Sequence, residues 1–151
     1  MNILVSILVP IYNVENFIEK CLVSLFEQTY KNIEYVFVND CSPDHSIEVL
    51  EKVAQNYPNR INSIKIISHD VNKGLAGARN TAISNASSDY ILHVDSDDFI
   101  EKTTVDKLVK KAQNDCADIV VFDYYLEWEK VNKKVVHKFD SNKIKYLDLV
   151  L

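Results

Sequence analysis

Glycine is scarce in this chain, which holds only two glycines among its 151 residues. At the average usage of about 7%, a chain of this length would carry roughly ten. Gly74 and Gly77 lie three positions apart. A dinucleotide-binding fingerprint needs three glycines, and a P-loop needs two glycines five positions apart followed by Lys and Ser or Thr. Neither glycine-rich phosphate cradle can form, so a bound phosphate would need another group to neutralise its charge.

Basic residues and paired cysteines are also lacking. The chain has 17 Lys and Arg against 22 Asp and Glu, a formal net charge of -5, so it lacks the basic excess that non-specific nucleic-acid binding requires. The cysteines Cys21, Cys41 and Cys116 form no C-x-x-C pair of the kind that binds zinc or performs redox chemistry. The apolar N-terminal run carries no Lys or Arg and is interrupted by Pro10, unlike a signal peptide or membrane span. We therefore expect a cytoplasmic protein with reduced cysteines and no nucleic-acid partner.

Hydrophobic periodicity predicts strands that alternate with helices. The predicted strands are Ser6–Tyr12, Ile33–Val38, Ile64–Ile67, Tyr90–Val94 and Ile119–Tyr125, and the predicted helices are 14–26, 42–57, Leu75–Ala86 and Thr103–Asp115. Beyond Trp128 the pattern weakens to an edge strand at Lys134–Phe139 and a helix or strand at Lys143–Leu151. Such alternation implies right-handed crossovers and a mostly parallel α/β sheet with helices on both faces.

Polar residues follow the predicted strands, where ligands bind in open α/β sheets. Asp95, Asp97 and Asp98 come directly after the fourth strand, and three carboxylates so close repel one another unless a cation or a proton relieves them. Alternation along the strand end directs Asp95 and Asp97 toward the same side. Oxygen ligands suit Mg²⁺ or Mn²⁺, which share carboxylates with water and substrate phosphate. The alternatives are a solvated turn with a capping Asp, and a phosphatase whose first Asp is the nucleophile.

The segment from Asn72 to Asn80 contains both glycines and one of the two arginines, Arg79. Arg79 falls on the first turns of a predicted helix, whose N-terminus attracts anions, and arginine binds phosphate in a bidentate manner. In the alternative interpretation Gly74 permits a turn, Gly77 permits close packing of the helix on the sheet, and Arg79 pairs with a surface acid.

The segment after the second strand offers two further carboxylates. Asp40 could accept a hydrogen bond from the N–H of a pyrimidine, whereas Asp44 is the expected cap of the next helix. Tyr12, after the first strand, has a ring that could stack on a base or simply pack.

Four segments in this order resemble the family 2 glycosyltransferases of the GT-A fold: SILVPIYNVENFIEKCLVSLFEQTY, EYVFVNDCSPD, NKGLAGARN and YILHVDSDDF. The resemblance covers roughly residues 5–125. It implies that the base of a nucleotide-sugar, commonly UDP-linked, lies at Pro10, Tyr12 and Asp40. The first of the two acids after the second strand is Asn39 here, where family members often have another acid.

The resemblance also assigns the diphosphate end of the donor. The D-x-D signature corresponds to Asp95, near the ribose, and Asp97, on a Mn²⁺ or Mg²⁺ ion that bridges both phosphates. The N-x-G-x-x-x-A-R-N segment supplies Asn72, Gly74 and Arg79 to the nucleotide-sugar site.

The resemblance implies transfer of a sugar with inversion to a hydroxyl of a saccharide or lipid-linked acceptor, in polysaccharide or glycolipid synthesis at the inner face of the membrane. Family members have a longer second half that supplies the acceptor site and the general base, but only 54 positions follow Asp97. We therefore expect a truncated GT-A sheet, with a nucleotide-sugar-binding core at 1–125, an incomplete acceptor-side region at 126–151 and no assignable base. A non-catalytic nucleotide-sugar-binding domain is the alternative.

Overall fold

The computed structural model describes residues 3–128 and 131–136. The strands are Val5–Ile11 (β1), Ile33–Asn39 (β2), Ile64–Ser68 (β3), Tyr90–His93 (β4), Tyr124–Trp128 (β5) and Val131–Val135 (β6). The helices are Ile18–Phe26 (α1), Ser46–Ala54 (α2), Pro58–Ile61 (α3), Gly74–Asn85 (α4) and Thr104–Asp115 (α5). The chain divides into two compact units, residues 1–110 and 111–151.

The first unit contains a four-stranded parallel sheet in the order β3-β2-β1-β4. Strands β1 and β2 lie in the middle, and their near-continuous apolar sequences match burial on both faces. The chain adds strands outward from β1 to β3 and then returns to the other side of β1 with β4. The strand order therefore reverses between β1 and β4, and a crevice at the carboxyl ends of these strands is the expected ligand site.

Helices cover both faces of this sheet, as predicted. On one face, α1 and α2 bury residues such as Leu22 and Leu50 in a large core that includes Ile7 and Val9 of β1. On the opposite face, alanines of α4 pack against Leu8 of β1 and valines of β2. Because successive residues of β1 point to opposite faces, one strand supplies both cores and fixes α1 and α4 on either side of its carboxyl end.

The segment that follows β4 is held against α1 by the buried side chain of Gln28. Its amide nitrogen donates to the carbonyl of Glu101 at 2.8 Å, and its oxygen accepts from the backbone N–H of Val105 at 3.1 Å. Ser24 of α1 also accepts from the N–H of Ile100 at 3.2 Å. The acidic residues just before Ile100 therefore lie on a loop whose far end is anchored to the core.

Three sequence predictions of secondary structure are wrong. The first helix, expected over 14–26, begins only at Ile18. The strand expected at Ile119–Tyr125 begins only at Tyr124, and it pairs antiparallel with β6 instead of joining the parallel sheet. The neighbouring β6 is close in sequence, so this pairing closes only a short loop. The helix expected over 42–57 starts at Ser46 and ends at Ala54. It ends early because Pro58 disfavours helical backbone at the residue before it and begins α3 instead.

The edge strand predicted at Lys134–Phe139 overlaps β6, which starts earlier, at Val131. Residues 137–151, including the element predicted at Lys143–Leu151, lie outside the described residues.

Candidate functional site

The carboxyl edge of the parallel sheet gathers the side chains that the sequence singles out. Pro10 is buried near the end of β1, and Tyr12, just beyond the strand, is 49% exposed. Asp40 follows β2 directly and is only 2% exposed. The register pairs Ile11 with Asn39, so the ends of β1 and β2 lie side by side.

The loops after β1 and β2 are bound to each other by hydrogen bonds. Ser42 accepts from the N–H of Asn13 at 2.8 Å, and Asp44 accepts from the N–H of Glu15 at 2.8 Å. The carboxylate of Glu15 in return accepts from the N–H of His45 at 2.9 Å. Asn13 and Cys41 adopt left-handed φ values of 54° and 57°, an uncommon conformation that costs free energy outside glycine. The two loops are therefore joined into one surface by hydrogen bonds.

Asp44 is the main acceptor between these loops. It accepts from the N–H of Ser46, the first residue of α2, at 3.2 Å. The predicted N-cap role is wrong, because the N-cap is His45 and no side chain caps α2. Burial acts to raise the pKa of Asp44, but hydrogen bonds from Ser42, Ser46 and the Glu15 amide outweigh burial and lower this pKa to about 2. Asp44 is therefore ionised at neutral pH, with a structural role.

Asp40 is enclosed by hydrogen-bond donors. Its Oδ1 lies 2.6 Å from Nδ1 of His69 and accepts from the backbone N–H of Lys73 at 2.8 Å. Burial acts to raise the pKa of Asp40, but hydrogen bonds from His69 and from the amides of Lys73 and Gly74 hold it below its ordinary value. The sequence locates this carboxylate correctly at the end of β2, but it gives no sign that the carboxylate is buried.

His69 is the functional candidate that the sequence does not single out. It follows β3, and its side chain is only 4% exposed. Its Nδ1 faces Asp40, and its Nε2 lies 2.8 Å from the hydroxyl of Thr81 on α4. The only sequence signal is its place among the polar residues that follow the strands.

The start of α4 has the turn that Gly74 predicts. Gly74 has φ +73°, and its N–H donates to the side-chain oxygen of Asn72 at 2.9 Å. The predicted reason for Gly77 is wrong: a Cβ there would come within 2.6 Å of the Cβ of Lys73, so its small size accommodates Lys73 and not the sheet. Ala78 is among the residues that pack on the sheet.

Arg79 of α4 and Asp95, just after β4, form an ion pair, with Nη2 of Arg79 2.7 Å from Oδ1 of Asp95. Their side chains are 37% and 41% exposed, so the pair lies at the rim and is open to a ligand. Asp97 and Asp98 are exposed beside it. Burial and the charges of Asp97 and Asp95 raise the pKa of Asp98, so the single arginine does not relieve the crowding of these carboxylates.

The acidic segment suits a metal that is shared with a substrate. Within residues 3–128 and 131–136, no group of three or more His, Cys, Asp or Glu residues forms a cage for a metal ion. Mg²⁺ and similar ions are commonly held by one or two carboxylates, with water and substrate phosphates filling the other positions. Asp95 and Asp97 provide such a donor set, and their mutual repulsion favours a cation.

A comparison of the sequence with known protein families shows which family the chain belongs to. The model of "Glycosyl transferase family 2" matches residues 6–149. The chain belongs to this family. Among curated proteins, this glycosyltransferase-family chain is 46% identical over 121 residues to glycosyltransferase GlyA of Streptococcus pneumoniae. That match covers 80% of the chain but only 17% of GlyA.

Solved structures give the same relationship and support the GT-A fold. S. aureus TarS 1-349 in complex with UDP superposes with a TM-score of 0.67 at 32% identity, over 74% of this chain and 32% of that 1-349 chain. A mannosyltransferase from Pyrobaculum calidifontis, in complex with GDP-Man and Mn²⁺, superposes with a TM-score of 0.66 at 27% identity, over 72% and 32% of the two chains. The chain thus spans about a third of these structures. In the part of the chain that the structure describes, no helix is long and apolar enough to cross a membrane.

Proposed function

We propose that this chain binds the donor of a glycosyltransferase that moves a sugar from a nucleotide-diphospho-sugar, a UDP-sugar, to an acceptor hydroxyl with inversion. The observation that carries the proposal is the Arg79–Asp95 pair beside Asp97 at the strand-order reversal. An arginine next to excess carboxylates is what a bound diphosphate and its metal ion require. Family membership and the nucleotide complexes of TarS and the mannosyltransferase support this assignment.

The base of the nucleotide belongs at the ends of β1 and β2 in this proposal. The exposed ring of Tyr12 can stack on a base, and buried Pro10 shapes the floor beneath it. A carboxylate has about four acceptor positions. In Asp40, three of them accept hydrogen bonds from His69 and from the amides of Lys73 and Gly74. One acceptor position then serves the N–H of a uracil ring.

The diphosphate belongs between α4 and the loop after β4. Asp97, with Asp95, would hold Mn²⁺ or Mg²⁺, and this ion would stabilise the charge of the departing diphosphate as a Lewis acid. Arg79 would form charge-assisted hydrogen bonds to phosphate from the α4 side. Asn72 and Gly74 shape the turn that brings the start of α4 to the site.

The acceptor, a saccharide or lipid-linked hydroxyl, completes the proposed reaction in polysaccharide or glycolipid synthesis at the inner face of the membrane. Its deprotonation needs a carboxylate base, and we assign that role to no residue of this chain. Because the chain spans about a third of the structures that it matches, we expect donor binding by the 151 residues and poor transfer.

Binding of UDP and uridine, each with and without Mn²⁺, tests the proposal. We expect Mn²⁺ to raise the affinity for UDP at least tenfold, because the ion contacts phosphate oxygens. We expect no effect of Mn²⁺ on uridine, which has no phosphate. An equal effect of Mn²⁺ on both ligands, or no binding of UDP, would contradict the proposal.

A further inference from the structure

Three side chains linked by hydrogen bonds lie beneath the proposed base site. Asp40, His69 and Thr81 come from the end of β2, the end of β3 and the middle of α4. The contacts are 2.6 Å between Asp40 and Nδ1 of His69, and 2.8 Å between Nε2 and the hydroxyl of Thr81. The Asp40 and His69 side chains are 3% and 4% exposed. These hydrogen bonds therefore join three elements of the fold, with Asp40 and His69 nearly enclosed and Thr81 half-buried.

The partners of His69 fix the orientation of its ring. Asp40 is ionised and can only accept, so Nδ1 of His69 carries the proton and donates. Nε2 then meets a hydroxyl, which can donate or accept as needed. Rotating the ring by half a turn would break both contacts and leave a buried carboxylate short of one donor, which is costly.

The same contacts fix the carboxylate of Asp40. His69 and the Lys73 amide both bond Oδ1, and the rotamer of Asp40 is thereby determined from two sides. The Lys73 amide precedes α4, and Thr81 lies within it. The position of Asp40 is thus tied at two points to the helix that carries Arg79.

We propose that His69 is a positioning residue for pyrimidine recognition: it holds Asp40 so that its remaining acceptor position faces the N3–H of uracil. This inference rests on the proposed function, because it requires that a uridine nucleotide is the ligand. Uracil has a proton at N3, whereas cytosine has an unprotonated acceptor there. A correctly held Asp40 therefore selects UDP over CDP, and a misplaced Asp40 does not.

Two substitutions of His69 separate its two nitrogens. His69→Asn places an amide close to the Nδ1 position and keeps a donor for Asp40, whereas His69→Gln places an amide close to Nε2 and keeps the contact with Thr81. Both variants remove the ring, so each serves as the packing control for the other. Their melting temperatures report any general loss of stability.

The measurement is the affinity of the chain for UDP and for CDP in the presence of Mn²⁺. We expect the ratio of the two affinities to fall about tenfold in His69→Gln and less than threefold in His69→Asn, the size of effect that follows loss of a hydrogen bond to a charged group. A role in packing alone would weaken both nucleotides equally and leave the ratio unchanged in both variants.

A double-mutant cycle with Asp40→Asn tests whether His69 acts through Asp40. We expect His69→Gln to leave the ratio unchanged when Asp40 is already Asn, because coupled residues are not additive. An equal effect of His69→Gln in both backgrounds, or an unchanged ratio in both single variants, would overturn the role of His69 while leaving UDP binding intact. Failure of the wild-type chain to bind UDP would overturn the proposed function itself, and this inference with it.

Discussion

At the scale of residues, the carboxylates after β2 and β4 differ in the donors that surround them. Asp40 and Asp44 are enclosed by amides, hydroxyls and a histidine, and the pKa of each is lowered. Asp98 lies beside Asp95 and Asp97, and its pKa is raised. The first two side chains therefore shape the site, and the acidic segment is where a cation would be gained.

The carboxylate of Glu34 should make the stability of the fold sensitive to acid. Burial acts to raise its pKa, but hydrogen bonds from Ser6, Ser87 and Lys65 outweigh burial and lower the pKa to about 2 from an ordinary value of 4.5. A carboxyl whose pKa is lowered on folding stabilises the protein above the unfolded pKa, and this stabilisation is lost as the pH falls toward the folded pKa. We expect Glu34 to contribute about 2–3 kcal/mol at pH 7 and to lose that contribution between about pH 4.5 and pH 2.

Urea unfolding of wild type and Glu34→Gln from pH 7 to pH 2 measures this contribution. The difference in the free energy of unfolding should be largest at pH 7 and shrink toward pH 2. Exposed Glu51 provides the matched control as Glu51→Gln. A difference that stays constant with pH, or that is the same for both variants, would show that Glu34 is not the source.

At the scale of elements, α4 connects the two halves of the site. Its N-terminal turn supplies the Lys73 amide to Asp40, its middle supplies Thr81 to His69, and its second turn supplies Arg79 to Asp95. The alanines that face the sheet keep the helix close to β1 and β2. A change in the start of α4 should therefore affect both stability and ligand binding.

The turn at the start of α4 depends on the backbone conformation of Gly74. Its φ of +73° is left-handed, and a Cβ there would meet nothing within 4 Å. Gly74→Ala should therefore destabilise the chain by about 1–2 kcal/mol through backbone strain alone. Gly74→Asn, which tolerates this conformation better, should cost less. Urea unfolding measures both, and equal losses for the two variants would contradict the explanation.

The sequence predicts much of α4 and of the parallel sheet because their signals are local. Residue type predicts the turn at Gly74, and hydrophobic periodicity predicts the strand before Asp95. The burial of Asp40, the contact of His69 with Thr81 and the reason for Gly77 depend on residues brought together by the fold. Likewise, β5 has an apolar strand sequence, but its partner is set by the pairing with β6 and not by its composition.

At the scale of the whole molecule, the chain is a family 2 glycosyl transferase sequence built around one reversal of strand order. The reversal lies between β1 and β4, and the loops after β1, β2 and β4 and the start of α4 follow or adjoin the carboxyl ends of these strands. With two glycines available, the site has no glycine-rich cradle for phosphate. The proposed donor site relies instead on an arginine and on a metal held by carboxylates.

The most direct test of this claim is calorimetric titration of UDP, with and without Mn²⁺, into wild type, Asp97→Ala and Asp89→Ala. Asp89 is exposed at the opposite end of β4 from the site and serves as the control. We predict that Mn²⁺ strengthens UDP binding at least tenfold in wild type and in Asp89→Ala, and not at all in Asp97→Ala. Equal affinity in all these combinations would contradict a donor site built on a shared metal.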